Sequence, residues 1–267
     1  MQVRFGRPLL PREHGAWAML LTPPLVSLLA LGPSWSGVQV MLGWFLAYAA
    51  RGPLEVLLGQ GASGRAGMAR GEAPVARFWL LVFAGAAALL LLPAVLRRPV
   101  LLLPLAGALA LALAVAFGFA LRAQQRALLS GLLAVTGLMA GAPLYDLAAS
   151  GRVTPAGWAI TYACFAFFGG SVFRVKTMGR ERRRSFFHGL SVAVHFAFVA
   201  GAILAAALGW VPALLPLALL PPLVWAVVCA WRARQEGAAN LNRVGMSEVY
   251  LTLLFAPLVV LTVRVPL

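Results

Sequence analysis

Residues 190–231 read LSVAVHFAFVAGAILAAALGWVPALLPLALLPPLVWAVVCAW, a stretch of 42 residues without Asp, Glu, Lys or Arg. About 20 apolar residues carry a helix across the hydrocarbon core of a bilayer. The stretch is therefore too long for one crossing and suits two. Gly209-Trp210-Val211-Pro212 supplies a turn near its middle. It reads as a hairpin of two membrane helices. Leu80 to Leu121 repeats the pattern, divided by Arg97-Arg98-Pro99.

The rest of the chain agrees. Of 267 residues, 62% are hydrophobic and 11% charged, with a mean hydropathy of +0.90. Soluble domains are about 25% charged. This composition excludes a soluble enzyme, a lone anchor on a soluble domain and a long disordered tail. Apolar runs bounded by charge, Gly or Pro place spans at about 15–32, 38–58, 78–96, 100–121, 127–149, 156–174, 188–208, 211–231 and 247–263. The expected fold is all-α: a polytopic bundle of about nine transmembrane helices, with residues 1–267 as a single integral membrane domain. The first apolar run ends without an A-x-A-like site, so no cleavable signal is expected.

Charge gives the orientation. With nine spans and a cytoplasmic N-terminus, 18 of the 22 Lys and Arg residues fall inside and four outside: Arg97, Arg98, Arg152 and Arg264. That is the positive-inside pattern. The N-terminus is thus expected in the cytoplasm and the C-terminus outside. Six acidic residues follow the cations, and only Asp146 stands on the outer side. A net charge of +15 here encodes topology. The expected partner is the lipid bilayer, not nucleic acid. Cys164 and Cys229, far apart in apolar runs, read as buried structural thiols.

Polar residues gather where apolar spans meet the cytoplasm. Pro11 to Trp17 suits a capped first helix, with Pro11 in the first turn and Trp17 as an aromatic anchor. It equally suits a pocket mouth with Glu13 and His14 as proton-transfer groups. Arg51 and Glu55 are spaced to pair on a helix, and Gly52-Pro53 predicts a kink beside them. Gly59, Gly61, Gly64 and Gly67 match no nucleotide-binding fingerprint. Phe173 to Arg184 is the densest cluster. Arg174, Thr177, Met178 and Glu181 share one helical face; Arg174 and Lys176, the one lysine of the chain, stand next to membrane residues. Either these cations snorkel outward, or they face the interior as an anion site with Arg as a fork and Lys as a point charge. Before the last span, Asn242 or Ser247 suits a helix cap, and Glu248 complements its dipole. His188 and His195 project from one face, about 10 Å apart by helical rise, too wide for one chelated ion. His195, well inside the membrane, needs a hydrogen-bond partner. No metal or cofactor is expected.

Arg12-Glu13-His14-Gly15-Ala16-Trp17-Ala18-Met19 resembles the signature of the YwiC-like family of bacterial membrane proteins. Val175-Lys176 with Arg180-Glu181, and Gly245 with Glu248, are similar to that family's later blocks. The resemblance implies a protein of the bacterial cytoplasmic membrane. A wider similarity is to the UbiA-type intramembrane prenyltransferases, and it implies nine helices around a central cavity. In those enzymes, Asp-rich motifs after the second and sixth spans hold Mg²⁺ against a prenyl diphosphate. The corresponding places here carry Arg51-x-x-x-Glu55 and Arg174-x-Lys176-x-x-x-Arg180-Glu181, without the aspartates. What the similarity implies is a lipid-accessible cavity with a basic mouth.

The function expected from these residues is binding of an amphipathic anionic ligand: a prenyl phosphate, a quinone-like molecule or a lipid. Its head would rest among Arg12, Arg51, Glu55, Arg174, Lys176, Arg180, Glu181, Asn242 and Glu248. Glu13 and His14 would move protons if a metal-independent, UbiA-like transfer follows. The alternatives are an anion transporter and an assembly subunit of a respiratory membrane complex. The N-terminal motif, the 51–55 bend and the 174–181 segment are expected to converge on one cavity.

Overall fold

Two prolines set where the second helix ends and where a middle span breaks. A helical proline clashes with the carbonyl four residues earlier. Pro53 therefore opposes Ala49, and helix α2 (Trp35–Ala49) ends there, with α3 (Arg51–Leu57) starting past Ala50. Pro143 opposes Met139 in the same way, where α5 (Leu128–Met139) gives way to α6 (Gly141–Ser150). The first break stands close to the kink expected at Gly52-Pro53. The second interrupts a span expected to be continuous.

The computed structural model describes residues 7–11, 14–59, 67–101, 103–105, 107–108, 111, 128–235 and 241–265. The other helices are α1 (His14–Leu31), α4 (Ala73–Arg97), α7 (Pro155–Met178), α8 (Ser185–Ala207), α9 (Leu215–Gln235) and α10 (Leu241–Arg264). Most of the span expected at 100–121 lies outside the described residues. Among the described residues every regular element is helical. Six stretches are long and apolar enough to cross a membrane: 73–97, 128–150, 155–178, 185–207, 215–235 and 242–264.

The 190–231 hairpin closes as expected. Gly209 takes φ +73°, a conformation that costs glycine little. Its N–H donates to the Ala206 carbonyl, and the Trp210 N–H donates to that of Ala205. These two bonds satisfy carbonyls left over at the end of α8.

At the centre stands α7, 67% of whose apolar stretch is buried, against 11% for α10. One core layer joins α7 to α1, α5, α8, α9 and α10 through Val26, Val135, Ile160, Phe167, Val199, Leu219 and Phe255. Phe167 stacks on Phe255 with centroids 4.2 Å apart, which ties α7 to α10. A second layer joins α1, α2, α4 and α6 through Leu20, Val40, Trp44, Leu91 and Leu144. Lipid tails are as apolar as these side chains, so close packing rather than water exclusion holds the layers together. Cys164 and Cys229 are buried and unbridged.

The last helix begins six residues earlier than expected. Ser247 is consequently inside α10, its hydroxyl donating to the Val244 carbonyl rather than capping the helix. Asn242 is in the first turn and exposed, not before it. The polar residues 242 and 243 hide the helix from a hydropathy reading but do not break it.

Candidate functional site

Arg174 lies four residues before the end of α7 and has no exposed surface. It does not snorkel outward. Its Nε donates to Glu248 Oε1 at 3.0 Å and its second amino group to Oε2 at 2.7 Å, a two-pronged bond to α10. The remaining amino group is 2.6 Å from His195 Nε2, on α8. Phe167, two turns back on α7, places its ring 5.3 Å beneath the guanidinium carbon. One cation thus ties three helices together.

The chemistry fixes the histidine. A guanidinium only donates, so Nε2 of His195 accepts. The ring proton then sits on Nδ1, which is 2.7 Å from the Ser191 carbonyl and donates to it. Gly170 provides the room: a β-carbon there would lie 2.5 Å from His195 Nε2. Around this group the hydroxyls of Thr177 and Ser191 are buried and have no hydrogen-bond partner among the described residues. Breaking a buried ion pair by removing one partner costs about 3–5 kcal/mol, because a charge is left unmatched. The three side chains therefore act as one unit.

Glu248 does not serve the N-terminal dipole of α10 as expected, since it stands two turns into the helix. Glu181 does not share the helical face of Arg174. Helix α7 stops at Met178, and Glu181 lies in the following turn, where it pairs with Arg184 at 3.1 Å and its N–H donates to the Lys176 carbonyl. Lys176 is half-buried and Arg180 exposed. Arg51 bonds Glu55 at 2.8 Å, and its guanidinium carbon lies 5.9 Å from the centre of the Tyr48 ring.

The N-terminal motif lies beside the 51–55 bend. The Trp17 ring packs on Phe45 and Tyr48, each with centroids 5.2 Å apart, and its N–H donates to the Pro11 carbonyl. Trp17 is therefore held by α2 rather than standing as a lone interfacial anchor. Pro11 precedes the helix instead of entering its first turn. A β-carbon on Gly52 would collide with the Leu9 carbonyl, so the N-terminal segment lies directly on α3. Arg12 and Glu13 lie outside the described residues, and only the backbone of His14 is described. The structure brings the N-terminal segment to the 51–55 bend, and Arg174 to Glu248 and His195. Helices α1, α2 and α3 carry the first group, and α7, α8 and α10 the second.

Sequence reasoning named Arg174 and Glu248 separately and missed that they meet. It saw that His195 needs a partner and did not find Arg174. The available signal was two polar residues within adjacent apolar spans, each requiring a match inside the bilayer.

Comparison with known proteins adds one relationship. The model of the YwiC-like protein family matches residues 10–146. The chain belongs to the YwiC-like family. It is also 29% identical over 187 residues to the uncharacterized protein YwiC of Bacillus subtilis (strain 168), a match covering 68% of this chain and 71% of that protein. No solved structure matches it. The family match covers α1 to the middle of α6 and stops before Arg174 and Glu248.

Proposed function

We propose that this YwiC-like membrane protein binds an amphipathic anionic ligand inside the bilayer, at its arginine-rich end. The supporting observation is that the interior already holds a carboxylate on Arg174. Glu248 fills the planar fork that a ligand's carboxylate or phosphate would take. Ligand entry exchanges one oxyanion for another on Arg174, and the displaced Glu248 carboxylate has to turn to another cation or take up a proton. Lys176, in the last turn of the same helix, and Arg180, just beyond it, form the mouth. Glu181 and Asn242 border it. Arg51 with Glu55, and Arg12 with Glu13 and His14, extend it if the two groups of helices face a common cavity. That cavity within nine helices, and the UbiA-like arrangement, are part of this proposal, as are the bacterial cytoplasmic membrane and the inward N-terminus. The ligand class is a prenyl phosphate, a quinone-like acid or a lipid, held by cations without a metal. A transfer reaction would draw on Glu13 and His14 for protons.

Transport receives less support. Tyr145 and Asp146, polar residues at the opposite end, are both engaged by nearby turns.

Native mass spectrometry of the detergent-purified protein with geranylgeranyl phosphate tests the reading. Lys176→Ala should weaken retention about tenfold, the value of one charge-assisted hydrogen bond. EDTA should leave retention unchanged. Loss of retention in EDTA that Mg²⁺ restores would overturn the metal-free site, and an unaffected Lys176→Ala would overturn the mouth.

A further inference from the structure

Arg174 has no exposed surface, so water or a ligand reaches it only where helices part. The interface between α7 and α8 is unequal along its length. Between His195 and Gly209 its polar groups are met. The Tyr162 hydroxyl donates to the Phe198 carbonyl at 2.6 Å, and Phe165 packs edge-on against Phe198. Toward the arginine-rich end they are not. Thr177 and Ser191 have no exposed surface. Their hydroxyls, Nδ1 of the buried His188 and Nε of Arg182 in the connecting turn have no hydrogen-bond partner among the described residues. No other buried side-chain nitrogen or oxygen of α7 or α8 lacks one among those residues. Helical spacing sets the two hydroxyls opposite each other. Arg174 meets His195. Thr177 stands three residues nearer the turn on α7, and Ser191 four residues nearer it on α8, each one turn along the same face. Buried polar groups left unmet are rare, and each raises the free energy of the packed state.

We propose that the first two turns of α8 are a gate to the buried centre. They part from α7 at the arginine-rich end, water enters and bonds Thr177, Ser191 and His188, and the opening reaches Arg174 and His195. Little opposes this inside a bilayer. The closing contacts are the stack of Phe173 on Phe187, with centroids 6.0 Å apart, and the 2.8 Å bond between His188 Nε2 and the Arg182 carbonyl. The stack exchanges one apolar neighbour for another when lipid replaces it, and water replaces the bond. The bond from His195 Nδ1 to the Ser191 carbonyl lies within α8 and survives the opening. Beyond His195 the matched packing at Tyr162 and Phe198 stops it. The gate follows from the interface itself and stands whether or not an anionic ligand is what passes it.

Thiol labelling of the full chain in nanodiscs provides the test. The reagent is the membrane-impermeant 2-sulfonatoethyl methanethiosulfonate, and peptide mass spectrometry reads each cysteine separately from the native Cys164 and Cys229. Ser191→Cys should be labelled, and Val199→Cys, two turns further along the same face of α8, should not. Thr177→Val keeps the shape of the side chain and removes its unmet hydroxyl. Added to Ser191→Cys, it should slow labelling at least about fivefold, the smallest effect expected of one unmet buried polar group. By itself, Thr177→Val should melt no lower than the parent. Ser191→Cys as inert as Val199→Cys would show that the interface stays shut. An unchanged rate in Thr177→Val would reduce the opening to fraying of α8, since the altered residue is on the other helix. A lower melting temperature for Thr177→Val would show that its hydroxyl is held in the closed state, and would overturn the gate.

Discussion

The two ends of the central helix handle their charged groups differently. At its start, Asp146 accepts from the Thr154 N–H at 2.6 Å and the Thr154 hydroxyl at 2.7 Å, and the Ser150 hydroxyl lies 3.3 Å away. All of these partners lie within eight residues of Asp146 and are neutral. Near its other end, Arg174 is held by Glu248, 74 residues away, and by His195, 21 residues away. The first arrangement fixes a turn. The second joins α7 to α8 and α10, and it matches a buried charge with one of opposite sign. A protein needing only a folded bundle gains little from burying such a pair, because apolar residues of the same volume often do as well. The long-range pair is therefore the part that calls for a function.

The sharpest way to break this comparison is Glu248→Ala. It strands Arg174 in the interior and should cost about 3–5 kcal/mol of stability in detergent. Arg174→Met combined with Glu248→Leu should recover most of that loss, since both charges leave together. If Glu248→Ala melts within a degree of the parent, the two ends do not differ as described. Gly170→Ala is gentler. Its new methyl competes with the His195 ring for the same space and should cost about 1–3 kcal/mol. The smallest effect belongs to the other end. Asp146→Ala takes the acceptor from two neutral, part-buried Thr154 donors, and about 1–2 kcal/mol is expected. Thermal melts of the three variants in one detergent rank them; Asp146→Ala falling below Glu248→Ala would reverse the comparison.

The same contrast explains what could be read from sequence. The hairpin at Gly209 was legible because a turn glycine and a nearby proline stand in a run too long for one span. The broken helix at Ala140 was legible in principle, through Pro143, but the smooth hydropathy of residues 128–150 masks it. The early start of α10 was not, since Asn242 and Arg243 look like a loop and hydropathy counts them as one. Within the candidate site, the depth of Arg174 and the unmet need of His195 were visible as local anomalies. Their pairing with each other and with Glu248 was not. It depends on how α8 and α10 pack against α7, and no spacing along the chain encodes that.

The histidine offers the most direct measurement of the buried centre. Arg174 donates to Nε2 of His195, which leaves the ring proton on Nδ1 facing the Ser191 carbonyl. Nitrogen-15 NMR of histidine-labelled protein in nanodiscs, with His195→Gln to assign the signal, reads that tautomer. At pH 7 the His195 ring should be neutral and protonated on Nδ1, and should change to another form in Arg174→Met. A ring protonated on Nε2 in the unaltered protein would contradict it, because the guanidinium would then have no acceptor there.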